Sequence, residues 1–237
     1  MIHSFSVENF LSIRDKQTIS FEATKDKTNR DLLTVEVKPN VFINKLSVFY
    51  GANASGKSNI LYAMNALFRL ICTPSYDKQN SIIYYTPFAL QNDKPTCMEV
   101  TFYKDGIKYN YEISYCNTHV IREKLTYNPT RNEADFYSRE YAGIDKRPNI
   151  KFGKTLGMSA KTQNSIKENT LNNQTVLSTI AKISLNDDAS KIMNLFNWVK
   201  NRIHNINGDG VGKSMVSEIN KVCKDSLKKE FYLNLLY

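Results

Sequence analysis

Eight residues, Gly51-Ala52-Asn53-Ala54-Ser55-Gly56-Lys57-Ser58, fit the pattern G-x-x-x-x-G-K-[ST]. Glycines at 51 and 56 let the backbone curl so that successive N–H groups point into one anion-sized hollow. A helix beginning near Lys57 would add the positive end of its dipole. The Lys57 ammonium then reaches the β and γ phosphates of a nucleoside triphosphate as a mobile charge, and the Ser58 hydroxyl takes one position on a magnesium ion that keeps several waters. These residue types predict a cradle for ATP with Mg2+ built from Gly51, Ala52, Asn53, Ala54, Ser55, Gly56, Lys57, Ser58 and Asn59, with Ser58 as the metal contact.

Such a cradle has to be carried by a strand and a helix. Leu46-Ser47-Val48-Phe49-Tyr50 reads as a buried strand feeding the loop, and Asn59 to Cys72 places Ile60, Leu61, Met64, Leu67, Phe68 and Ile71 at helical intervals before Pro74. Two partial matches lack this setting. Gly212-Lys213-Ser214 has Asn207 where the first glycine belongs, Gly153-Lys154-Thr155 has Pro148 there, and neither follows a buried strand.

About fifty residues precede the loop and read as strands at Ile2 to Val7, Gln17 to Glu22, Leu32 to Val37 and Val41 to Ile43. Small kinases and GTPases present the loop directly after their first strand, and no N-K-x-D follows it here, so both classes are disfavoured. Downstream, Met98, Val100 and Phe102 alternate along one strand and Tyr109, Tyr111, Ile113 and Tyr115 along the next, joined by Asp105-Gly106 as a hairpin turn. The tyrosine stripe has two readings, a base-stacking platform or one face of an antiparallel sheet packed on a helix. Further strands are expected at Val120 to Tyr127 and Ala134 to Ser138, then helices at Leu171 to Ile183, Ala189 to Ile206 and Val211 to Tyr237. The last ends in Phe231-Tyr232-Leu233-Asn234-Leu235-Leu236-Tyr237, an apolar run that calls for cover.

The chain's 237 residues, 41% hydrophobic and 23% charged, suit a soluble globular protein with a real core. The four cysteines and three histidines are scattered without metal-ligand spacing. There is no apolar run of membrane-spanning length and no signal-peptide pattern at Met1 to Glu8, so a cytoplasmic protein is expected. Of the net charge of +9, residues 139–237 carry +7. Lys146, Arg147, Lys151, Lys154, Lys161 and Lys167 occur there with no acidic residue between them, which suits either a solvated loop or a polyanion such as nucleic acid. The expected organisation is an N-terminal lobe over residues 1–140, a basic loop or linker over 141–170 and a helical lobe over 171–237.

Glu8-Asn9-Phe10-Leu11-Ser12-Ile13, the phosphate loop with Asn59-Ile60-Leu61, Thr86-Pro87-Phe88-Ala89-Leu90, the hairpin and Ile121-Arg122-Glu123-Lys124-Leu125 resemble the N-terminal half of RecF/SMC-like, ABC-type ATPases. Within these the chain is similar to the AAA-type ATP-binding group that includes OLD-like bacterial defence ATPases, over roughly residues 1–205. The resemblance implies an α/β P-loop head with a mixed sheet, a β-rich lobe and a C-terminal helical lobe, two heads sandwiching ATP, and a Q-loop whose best match is Gln174. As a glutamine it also suits a helix surface. The resemblance implies that family members often carry a basic residue at the place held here by Leu11, and whether Arg14 substitutes stays open. A Walker B strand ending in Asp-Glu and a signature motif are not found after Ser58; Ile183-Ser184-Leu185-Asn186-Asp187-Asp188 reads as a turn with a helix N-cap at Asp187 or Asp188. The pattern is that of an incomplete head that pairs with itself, a second half or an effector nuclease, or alternatively of a non-catalytic nucleotide sensor.

Overall fold

The computed structural model describes residues 1–72, 82–130 and 132–202. The helix expected over 211–237, the partial match at Gly212-Lys213-Ser214 and His204 lie outside them. Alternation of apolar and polar residues makes strands β1 (Ile2–Glu8) and β2 (Gln17–Ser20), followed by a single helical turn α1 (Arg30–Leu33) and a hairpin of β3 (Thr34–Lys38) and β4 (Val41–Asn44). The phosphate-loop helix α2 (Lys57–Cys72) precedes β5 (Thr96–Lys104), β6 (Ile107–Tyr115), β7 (Val120–Asn128), β8 (Ala134–Glu140) and β9 (Asn149–Phe152). Helices α3 (Ala160–Asn169), α4 (Val176–Ile180) and α5 (Ser190–Arg202) follow.

Seven strands form one sheet in the order β2-β1-β5-β6-β7-β8-β9, and β3 pairs with β4 separately. The expected mixed sheet is antiparallel at every pair among the described residues. One face is apolar. Met98, Val100 and Phe102 lie on it beside Tyr109, Tyr111, Ile113 and Tyr115, all buried. The tyrosine stripe is thus the packed face of a sheet: Phe102 stacks on Tyr109 and on Trp198 of α5, both at 5.3 Å between ring centroids.

Two charged residues enter this core. Glu123 of β7 and Arg139 of β8 are register partners and both fully buried. The Glu123 carboxylate accepts from Tyr137 Oη at 2.6 Å, Tyr111 Oη at 3.1 Å and the Val176 N–H at 2.9 Å. Arg139 donates to the carbonyls of Val120 (2.7 Å), Leu171 (3.2 Å) and Asn172 (2.9 Å). Together they fasten the turn before α4 onto the sheet, and Thr175 Oγ1 donates to the Leu70 carbonyl near the C-terminal end of α2 at 3.2 Å.

Three local expectations change. The helix expected from Leu171 begins only at Val176, because Thr175 and Ser178 form a reciprocal cap and Asn172 Nδ2 donates to the carbonyls of Gly143 and Lys146. Within the basic segment, Ile150, Leu156, Met158 and Ile166 are buried, so it folds into β9, a 3-10 turn and α3 and carries most of its lysines outward. Gly153-Lys154-Thr155 belongs to that turn, and a side chain at Gly153 would meet the Asp135 carbonyl at 1.8 Å, so close packing requires its glycine. Asp188 caps α3 from a distance: its carboxylate accepts from the Ser159 N–H (2.6 Å) and Thr162 Oγ1 (2.7 Å).

The largest departure is Leu46–Tyr50, which forms no strand and is mostly exposed. Its alternation suits a strand, but a strand also needs neighbours. Both edges of β1 are taken by β2 and β5, and β4 lies between β3 and residues 21–23, through the Ala23 N–H to the Phe42 carbonyl and the Asn44 N–H to the Phe21 carbonyl, so neither β1 nor β4 offers it an open edge.

Candidate functional site

The phosphate loop occupies residues 51–56, immediately before α2. Gly56 sits at φ +89 with Ser12 Oγ 3.5 Å from where a Cβ would stand, a left-handed position that suits glycine. Ala54 is also left-handed, at φ +62. The loop satisfies itself sparingly. The Ser55 N–H donates to the Ala52 carbonyl at 3.3 Å, whereas among the described residues the N–H groups of Asn53, Ala54, Gly56, Lys57 and Ser58 have no acceptor. Five unpaired donors converge on one turn and a helix start, which is the composition of an anion-binding nest.

Lys57 lies across this turn. Its ammonium donates to the carbonyls of Gly51 (2.9 Å) and Ala52 (2.6 Å) and lies 3.4 Å from Ser55 Oγ. The Ser58 side chain is exposed and its hydroxyl is unpaired among the described residues. Asn59 Nδ2 donates to Ser12 Oγ at 2.6 Å, tying the helix start to the hairpin that leaves β1.

That hairpin forms the far wall. Beside the loop lies a hollow of about 670 Å³ lined by Ser12, Arg14, Asp15, Thr18, Tyr50 and Phe88 among others, a size within the range of small-molecule sites. Arg14 forks onto Asp15, with Nη2 to Oδ2 at 2.9 Å. The fork raises the Arg14 pKa and lowers that of Asp15. The structure therefore brings Arg14, but not Leu11, into the lining of the hollow.

Asn9 holds this wall in place. It is 2% exposed and left-handed at φ +53; its Nδ2 donates to the Lys94 carbonyl at 2.8 Å and its Oδ1 accepts from the Phe88 N–H at 2.9 Å. Periodicity could not reveal this role, since a buried asparagine at a strand end resembles an ordinary turn residue; the run Glu8 to Ile13 was the only signal.

The other expected residues stand apart. Gln174 is 4% exposed in the turn before α4. Its neighbour Thr175 meets Leu70, thirteen residues beyond Lys57 along α2, or roughly 20 Å at the rise of a helix. Ser58 and Asn59 are gathered with the loop; Gln174 is not. Asp188 is committed to capping α3, and among the described residues no group of three or more His, Cys, Asp or Glu could hold a metal ion. No described helix is long and apolar enough to cross a membrane.

The donors present fit a phosphate chain with its magnesium ion: a nest of N–H groups, an ammonium and one free hydroxyl. Residues 46–175 match a family model described as "AAA domain, putative AbiEii toxin, Type IV TA system". No curated protein matches the chain. The match covers more than half of the chain, the whole phosphate loop included, and an AAA domain carries nucleotide-binding, ATPase-type function. The chain belongs to that P-loop, AAA-type ATPase family.

Proposed function

We propose that the chain binds ATP with Mg2+ through Gly51–Ser58, and that hydrolysis takes a carboxylate and signature groups from another segment or chain. The carrying observation is the row of acceptorless N–H groups under Lys57. Phosphate oxygens would replace the Gly51 and Ala52 carbonyls as partners of the ammonium, the N–H row would hold the same oxygens, and Ser58 would contact the metal. The hollow flanked by Arg14, Tyr50 and Phe88 would take the nucleoside. Magnesium, when bound, supplies charge neutralisation along the phosphates.

The second reading, a nucleotide sensor without turnover, is favoured by one observation. Asp15, the carboxylate that lines the hollow, is engaged by Arg14, which leaves no free base beside it among the described residues. Calorimetry with MgATP and an assay of phosphate release decide together. Binding that is lost in Lys57→Ala supports the site. Turnover by the isolated chain would refute the need for outside groups, and absence of Mg-dependent binding would refute the reading altogether. Self-pairing, an effector partner and nucleic-acid contact through the exposed lysines of 146–167 are further proposals of the same kind; defence as the biological role rests on the resemblance alone.

A further inference from the structure

Cys116, Thr118 and His119 meet in the turn between β6 and β7, which the Cys116 N–H closes by donating to the His119 carbonyl at 3.0 Å. Cys116 Sγ lies 3.4 Å from His119 Nδ1 and 3.4 Å from Thr118 Oγ1, and that hydroxyl stands 2.9 Å from the same Nδ1. The thiol is also 3.6 Å from the His119 carbonyl. Tyr141 fixes the ring, stacking on it with centroids 3.8 Å apart. A nucleophile beside a base that a third group orients is the arrangement that activates a thiol. Burial, followed by the Arg139 charge, lowers the His119 pKa from its ordinary 6.5, so at pH 7.5 the ring is neutral and can take a proton. Solvent reaches the turn, since Cys116 is half-buried and Thr118 exposed. Cys97 is also free and half-buried, but burial and then the Glu8 charge raise its pKa, which makes it an internal standard.

We propose that Cys116 is a modification site for low-molecular-weight disulfides, with His119 as its base. The Cys116 S–H proton passes to Nδ1, and the thiolate then accepts from Nδ1–H and from the Thr118 hydroxyl, both 3.4 Å away. Its sulfur attacks one sulfur of R–S–S–R. The bond from Cys116 to that sulfur forms as the R–S–S–R bond breaks, and the departing thiolate takes the proton from Nδ1. Cys116 is oxidised to a mixed disulfide and the released sulfur is reduced to a thiol, so no further oxidant is needed. A metal ion is the poorer occupant, because among the described residues no group of three or more His, Cys, Asp or Glu could hold one. The inference does not depend on the nucleotide reading.

The test incubates the full chain with oxidised glutathione at pH 7.5 and follows the adduct at each cysteine by peptide mass spectrometry. In the folded chain Cys116 should react about tenfold faster than Cys97 or more, and the lead should vanish in urea, where the turn is gone. His119→Gln should slow Cys116 about tenfold or more and leave Cys97 within about twofold, with the fold checked by circular dichroism. Thr118→Val keeps the imidazole but removes the hydroxyl from the thiolate, and should slow Cys116 about threefold. Equal rates at Cys116 and Cys97, a lead that survives urea, or a Cys116 rate that His119→Gln leaves within about twofold would each overturn the proposal. Should His119→Gln misfold, the urea comparison and Thr118→Val decide.

Discussion

Replacing Arg139 with methionine removes the donor to the Val120, Leu171 and Asn172 carbonyls and leaves Glu123 as an uncompensated buried carboxylate. Two of those carbonyls keep another donor, Gln174 N–H for Leu171 and Val120 N–H for Asn172, so the cost is dominated by Glu123 and the Val120 oxygen. Breaking one side of such a buried arrangement costs about 3–5 kcal/mol. Glu123→Gln keeps an acceptor for Tyr111 and Tyr137 but sets an amide donor near the Val176 N–H; it should cost about 1–3 kcal/mol. The double variant no longer buries a lone charge, so its loss should fall short of the sum by about 1–3 kcal/mol in urea unfolding. Burial pushes the Glu123 carboxyl up from its ordinary value of 4.5. A raised carboxyl keeps its proton in the native state where the unfolded chain has released it, so its contribution is complete below pH 4.5 and is lost as pH climbs through the native value. Glu123→Gln should remove that slope. Additive losses, or a loss under about 1 kcal/mol for Arg139→Met, would refute the reasoning. Because the turn held by the pair meets α2 at Leu70 through Thr175, MgATP affinity of the folded variant should stay within about threefold; a larger drop would mean that the 171–176 turn, Gln174 included, acts in the nucleotide site.

Lys57→Ala should weaken MgATP by about 10–100-fold, the value of charge-assisted bonds of 1.5–3 kcal/mol, while calorimetric melting of the free chain shifts little because the ammonium's present bonds are exposed. Gly56→Ala should cost about 1–2 kcal/mol through its left-handed backbone, lowering the thermal midpoint by a few degrees and ATP affinity with it; an unchanged midpoint would contradict the φ of +89. The Cys72 thiol is pushed up to about 11 by burial, so iodoacetamide at pH 8 should label it about a hundredfold more slowly than in the urea-unfolded chain. Between its ordinary value of 9.0 and about 11, the native state holds a proton that the unfolded chain has lost. Stability should therefore fall with rising pH in that window, by at most about 2–3 kcal/mol, and Cys72→Ser should flatten the slope.

The loop was legible because its chemistry is local: two glycines, a lysine and a hydroxyl at fixed spacing specify a nest wherever a helix follows. The β5–β6 hairpin was legible for the same reason, alternation and turn falling within twenty residues. What escaped was set by distant partners. Asn9 is a wall-holder only because residues 88–95 return to it, and Glu123 sits in the core only because Arg139, Tyr111 and Tyr137 surround it. Asp188 has the sequence setting of a residue that starts its own helix and instead caps α3. Gln174 took its meaning from a resemblance, while its place follows from Arg139, Thr175 and Leu70.

The exposed segment and the self-bonded lysine share one physical cause. A phosphate loop is rigid when the strand before it and the helix after it are both held, and here only the helix side is: α2 is fixed by Ala63, Ala66, Leu67, Phe68 and Ile71 in the core, whereas Leu46–Tyr50 has no ladder. With one end of the loop free, Lys57 recruits the Gly51 and Ala52 carbonyls, the nearest acceptors on that free side. Phosphate must displace those bonds, and a strand paired along 46–50 would hold Gly51 without them.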